Sequence, residues 1–206
     1  GHEVATKMAE GDLSVKINLA HGDRTSLLAS MKVMQASVQA LVSDAAMLSE
    51  AAVAGKLATR ADASKHKGDF NRVVAGVNGT LDAVIGPLNV AANYVDQISR
   101  GAIPAKITDS YNGDFNTIKN NLNVCIDAVN ALVADANMLA KAAVEGKLET
   151  RADASKHQGD YRKVVEGVNA TLDSVIGPLN EGMRVLGALS AGDLTQKIND
   201  NYQGTF

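Results

Sequence analysis

The side chains with the most chemical potential are two histidines. His66 and His157 occupy equivalent places in Lys-His-Lys-Gly-Asp (65–69) and Lys-His-Gln-Gly-Asp (156–160). With Asp62 and Asp69, or Asp153 and Asp160, each could hold a metal ion or make a pH-sensitive contact. One His per site, with no Cys or second His beside it, is a weak donor set, so each is expected to order the turn before a helix. Arg60 and Asp62 recur as Arg151 and Asp153. Such a pair could make a switchable contact to a neighbouring helix, but the favoured expectation is a solvated connector pair of little energetic weight. Cys125, the only cysteine, falls in an apolar series and is expected to fill space. No convergent polar pocket is legible. The expectation is a protein without catalysis, cofactor or metal.

Composition narrows the classes further. Of 206 residues 46% are hydrophobic but only 3% aromatic, with no Trp, so Ala, Val, Leu and Ile must do the packing. That mix suits helices at close range. A net charge of -3 excludes a strongly basic nucleic-acid binder. One cysteine excludes an intramolecular disulfide framework. No run of about 18 uncharged apolar residues is found, so no membrane-spanning segment is expected.

The chain repeats itself. Residues 43–89 return as residues 134–180 with roughly seven in ten positions identical. A shorter element recurs at 11–23, 101–114 and 192–205. The two types alternate, and each repeat unit holds about 45 residues. The division expected is unit 1 at 1–39 with its first helix truncated, unit 2 at 40–86, unit 3 at 87–130, unit 4 at 131–177, and unit 5 at 178–206 with its second helix truncated.

Apolar spacing predicts long helices. Leu27, Met31 and Met34 open one series. Phe70, Val74, Val77 and Leu81 open a second, and Phe115, Ile118, Leu122 and Cys125 a third. Val165, Val168 and Leu172 continue a fourth from Tyr161. Alternating steps of four and three make a narrow heptad seam that needs partner helices. Asp23, Asp69, Asp114 and Asp160 are expected to start helices as N-caps or first-turn anions. Gly11, Gly55, Gly101, Gly146 and Gly192 are expected at the turns that end them. Gly86-Pro87 and Gly177-Pro178 lie inside the runs, where Pro normally breaks a helix; the unbroken apolar phase predicts joints between consecutive units. Each connector carries two apolar anchors, Leu13/Ile17, Leu57/Ala61, Ile103/Ile107, Leu148/Ala152 and Leu194/Ile198. An extended connector of about a dozen residues reaches roughly 40 Å, enough to return along one helix and start the next parallel to it. Of the helical asparagines Asn78, Asn89, Asn121, Asn123, Asn169 and Asn180, some could flank the seam and restrict register, as buried Asn can, but most are expected at the surface.

The order helix, Gly, two-anchor connector, acidic residue, helix resembles the HAMP domain family. Gly101, Ile103, Ile107, Gly113, Asp114 and Phe115 carry the match best. Gly11, Leu13, Ile17, Gly22 and Asp23 repeat it, as do Gly192, Leu194, Ile198 and Gly204, although Thr205 stands where the acidic residue is expected. Units 2 and 4 look like a divergent version with Ala at the second anchor. Pro87 and Pro178 match the Pro that commonly begins the family's first helix. The resemblance implies an all-α fold of parallel homodimeric four-helix coiled-coil bundles, elongated and stacked end to end. It further implies a cytoplasmic signal relay between upstream sensor and downstream signalling domains of a bacterial chemoreceptor or sensor histidine kinase, in a full-length protein open to inner-membrane anchoring. A passive spacer is the competing expectation. His2-Glu3 resembles the phosphoacceptor box of histidine kinases, but Val-Ala-Thr-Lys-Met follows in place of the Arg/Lys-Thr-Pro run.

Overall fold

A computed structural model describes residues 2–202 and 204. Thr205 lies outside the described residues. Five α-helices, α1 (His2–Ala9), α2 (Leu27–Val53), α3 (Gly68–Ser99), α4 (Gly113–Val144) and α5 (Gly159–Ser190), form the fold, with short 3-10 turns at Ala63–Lys65 and Ala154–Lys156. No strand occurs among the described residues. The chain divides into two compact bodies, Gly1–Val90 and Ala91–Phe206.

The helix ends follow from local chemistry. Gly55, Gly101 and Gly146 take φ of 71°, 76° and 72°, the left-handed region that a Cβ disfavours. At the first of these, Gly55 N–H donates to Ala52 O at 3.0 Å and Lys56 N–H to Ala51 O at 2.8 Å, tying off the last carbonyls of α2. The helix starts differ from expectation. Asp23 does not begin α2. Its carboxylate accepts from Ser26 N–H at 3.0 Å, and Ser26 is the N-cap, its hydroxyl accepting from Ala29 N–H at 3.1 Å. Asp69, Asp114 and Asp160 lie in the first turns of α3, α4 and α5, where their charge faces the positive helix end. Pro87 and Pro178 sit inside unbroken helices.

The connectors before α3 and α4 return along the helix that follows them. Arg60, Ala61 and Ala63 bond to Asp82, Asn78 and Asn71 in turn, so connector numbers rise as α3 numbers fall. Lys106, Ile107 and Asp109 meet Asp127, Asn123 and Lys119 on α4 in the same sense. The helices flanking the first of these, α2 and α3, are parallel: a groove in the first body pairs 33–40 with 65–70, and another pairs 41–48 with 73–77. The connectors of units 2 and 4 are not extended throughout. Asp62 and Asp153 cap a 3-10 turn in each, accepting from Ser64 N–H and Ser155 N–H at 3.0 Å.

Burial within one chain divides the expected seam. Val74 and Val165 are buried, as is Met31, but Met34, Val77, Ile118 and Val168 are exposed, and Leu27 is 75% exposed. Phe70, Leu81, Phe115, Leu122, Cys125 and Leu172 are half-buried. Ile85, Ile126 and Ile176, which lie outside the expected series, are buried as well, Ile126 most completely at 1% exposed. The apolar stripe is therefore broader than a strict a/d seam. One side packs within the chain and the other is uncovered. The anchors divide likewise. Ile17, Ala61, Ile107 and Ala152 are buried, whereas Leu57, Leu148, Leu194 and Ile198 are exposed. Leu13 and Ile103 are half-buried. Among the described residues nothing covers Leu57 and Leu148, and no helix follows Ile198.

The buried second anchor would strand its backbone polar groups without a partner. An asparagine supplies it. Asn78 Oδ1 accepts from Ala61 N–H at 3.1 Å while its Nδ2 donates to Ala61 O at 2.8 Å. Asn169 does the same for Ala152, and Asn123 for Ile107 at 2.8 and 3.0 Å. Asn123→Ala should cost about 1–3 kcal/mol by leaving both groups unpaired. Asn89→Ala, an exposed change, should stay within about 0.5 kcal/mol. Urea melts of the two variants check this.

Candidate functional site

The connector and its two flanking helices are where the polar chemistry gathers. Units 2 and 4 build the same arrangement twice. His66 comes from the end of the 3-10 turn and is buried, its side chain 2% exposed. Its Nε2 lies 2.6 Å from Asp44 Oδ2 on α2. His157 and Asp135 repeat the pair at 2.6 Å, with α4 supplying the carboxylate. The expected partners, Asp62 and Asp69 or Asp153 and Asp160, are not the ones used. Asp62 and Asp153 are occupied in capping, and Asp69 and Asp160 pair with Arg72 and Lys163 in the first helical turn. The histidine therefore links the connector to the preceding helix, a role beyond ordering its own turn. No cluster of three His, Cys, Asp or Glu that could hold a metal occurs among the described residues.

Arginine also departs from its expected role. Arg60 does not pair with Asp62. Its Nε and Nη2 donate to Asp82 Oδ1 on α3 at 2.9 and 2.7 Å, and Nη1 donates to the carbonyls of Leu57 and Thr59 at 2.8 and 2.7 Å. Arg151 repeats this with Asp173, Leu148 and Thr150. Asp82 and Asp173 are 69% exposed, so the ionic part is screened. Shaping the connector bend through two carbonyls is the firmer contribution. In unit 3 Lys106 and Asp127 occupy the corresponding positions, 2.6 Å apart and both more than half exposed. Unit 1 uses a different device: Gln35 donates to the carbonyls of Leu13 and Val15, and Gln39 to that of Leu13.

The clamps, the His–Asp links and the Arg–Asp straps were not assigned from sequence. The signal available was the repeat. Asn78, Asp44 and Asp82 return as Asn169, Asp135 and Asp173, at the same offset as His66 and Arg60. Cys125 lies half-buried beside Asn121, Val124 and Ala128 in a groove of about 560 Å³ that His157 and Tyr161 also line. Two helices bear on the membrane expectation. α3 and α4 each contain an 18-residue window of mean hydropathy 1.3 with at most two charges, so by length and composition both qualify as membrane spans. Neither holds a wholly apolar run, because uncharged Asn, Gly and Thr interrupt it at little cost in mean hydropathy.

Two expectations follow from the electrostatics. Ser64 hydroxyl and backbone N–H groups hold the Asp62 carboxyl below its ordinary value of 3.8, burial opposing weakly, and Ser155 does the same for Asp153. A depressed carboxyl stabilises the fold above its ordinary value, and that contribution disappears as pH falls through the lower folded value. Asp62→Asn with Asp153→Asn should flatten the stability profile below about pH 4, seen in acid titration by circular dichroism. Asp135→Ala should leave the buried His157 ring nitrogen unpaired and lower stability by about 1–3 kcal/mol in urea melts.

The match to known proteins agrees with this architecture. A family model described as HAMP domain matches residues 65–131 and 156–206. The methyl-accepting chemotaxis protein McpB of Pseudomonas aeruginosa is 35% identical over 72 residues, which are 35% of this chain and 11% of that protein. The match thus spans about a tenth of the relative's length. No solved structure matches the chain. Parallel helices joined by a returning, anchored connector, within a sequence that the family model covers for more than half its length, place the chain in the HAMP domain family.

Proposed function

We propose that this chain is a signal-transduction linker of a chemoreceptor-type protein, made of five HAMP units at 1–39, 40–86, 87–130, 131–177 and 178–206. It relays a change of helix packing between an upstream sensor and a downstream signalling domain, without catalysis of its own. The reading rests on one observation above others: α2 to α5 carry a continuous series of uncovered apolar side chains. On α3 these include Val73, Val77, Val84, Leu88 and Val95, all more than two-fifths exposed. A second copy laid parallel, with units in register, would cover this stripe and the exposed first anchors Leu57 and Leu148. The likeness to a methyl-accepting chemotaxis protein supports the same assignment.

The hydropathy of α3 and α4 belongs, on this reading, to a water-filled compartment and a protein partner. Asn78, Asp82, Asn123 and Asp127 are engaged by connector groups and would be stranded in lipid. The location proposed is cytoplasmic. Ala45, Ala52, Ala136 and Ala143 make thin layers that bury little area at about 25 cal/mol per Å². Two packings can then lie within a few kcal/mol of each other, as a switch requires. α3 and α5 continue unbroken through Pro87 and Pro178 and would carry a displacement onward.

A solution mass of two copies at micromolar concentration is expected from sedimentation, and oxidation should link Cys125 to its counterpart. A single-copy mass, or no Cys125 crosslink in a proven dimer, contradicts the parallel pairing. In the complete receptor, cysteines placed at Val77 and Val168 should crosslink to different extents in opposed signalling states. Equal patterns would favour a passive spacer.

A further inference from the structure

The two kinds of unit hold their connectors by different physics. In unit 2 the connector is fixed by directional bonds at three places: the Asn78 amide pair, four N–H donations from Arg60, and His66 against Asp44. Unit 4 repeats all three. In unit 3 the amide pair remains, but the other ties are two exposed lysine contacts, Lys106 to Asp127 and Lys119 Nζ to the Asp109 carbonyl. Tyr111 stands two residues before Gly113, where His66 stands two before Gly68; Val90 stands eleven before Gly101, where Asp44 stands eleven before Gly55. The buried second anchor is exchanged in the opposite direction. It is Ile107 in unit 3 and only Ala61 or Ala152 in units 2 and 4.

Hydrogen bonds weaken steeply with misalignment, whereas apolar burial is non-directional. A connector pinned directionally at the Asn123 amide pair, with only exposed lysine contacts beside it, can turn about that point at small cost. A connector held by an amide pair, an arginine fork and a histidine cannot. We propose that the array alternates rigid and compliant units. Units 2 and 4 move as locked helix–connector–helix bodies, and unit 3 is where packing changes. This rests on the relay reading and assigns which unit yields.

Hydrogen exchange on the intact 206-residue chain tests it. Connector amides at 56–66 and 147–157 should exchange at least about tenfold more slowly than those at 103–111. Arg60→Lys with His66→Ala should raise exchange at 56–66 toward the unit 3 rate and leave 147–157, in the same molecule, unchanged. Equal rates in the three wild-type connectors, or faster exchange in units 2 and 4, would overturn the assignment. So would a folded double variant whose 56–66 amides stay as slow as 147–157. Should the variant unfold, the 147–157 amides will report it, and the wild-type comparison then decides. These outcomes are separable from failure of the relay, which shows as identical crosslinks in both signalling states whatever the exchange rates.

Discussion

The fold depends on satisfying the backbone of a residue that must be buried. A returning connector has to sink one apolar side chain between parallel helices, and its N–H and C=O go with it. No strand is available to pair them. A side-chain amide presents one acceptor and one donor at the spacing of a peptide group, so Asn78, Asn123 and Asn169 each close a two-bond ring with the anchor residue. Aspartate could accept but not donate, and leucine could do neither. The amide pair thereby sets the height of the connector on its helix, and with it the register of everything else between Gly55 and Gly68 or their equivalents.

That register explains the double-faced helices. The face that carries the asparagine amide pair also carries Val74 and Ile85 or Val165 and Ile176, which are buried. The adjacent face holds Val77, Val84 and Leu88 or Val168, Val175 and Leu179, which remain exposed among the described residues. A stripe wide enough for both is what a helix in a four-membered bundle presents, since each helix has two neighbours. One neighbour is in the same chain, and the other is the second copy proposed above.

The charged groups refine this plan and leave its frame alone. Asp62 and Asp153 shape a 3-10 turn that lifts the histidine toward the preceding helix. Burial of the imidazole is compensated by a carboxylate from Asp44 or Asp135, and no buried side-chain nitrogen or oxygen among the described residues lacks a partner. The arginines bridge the connector bend to the following helix. Together these contacts tie three successive elements, which a hydrophobic anchor alone leaves free to adjust.

Much of the architecture was legible in the residues. The heptad steps announced long helices, and the glycines at 55, 101 and 146 marked their ends because only that residue takes a positive φ without strain. The repeat located the connectors, and the two-anchor order gave the family. The partners of the polar side chains were not legible. Asp44 and His66 are far apart in sequence, and the choice of Asp44 over nearby Asp62 or Asp69 depends on where the connector lies in three dimensions. Whether a seam residue such as Val74 or its neighbour Val77 is covered by its own chain is also a matter of rotation about the helix axis. Local periodicity determines that an apolar face exists. Only the packing of connector against helix decides which part of it the chain buries itself and which asparagine, histidine or arginine meets which backbone group, because those contacts are set by distances that spacing along the chain does not encode.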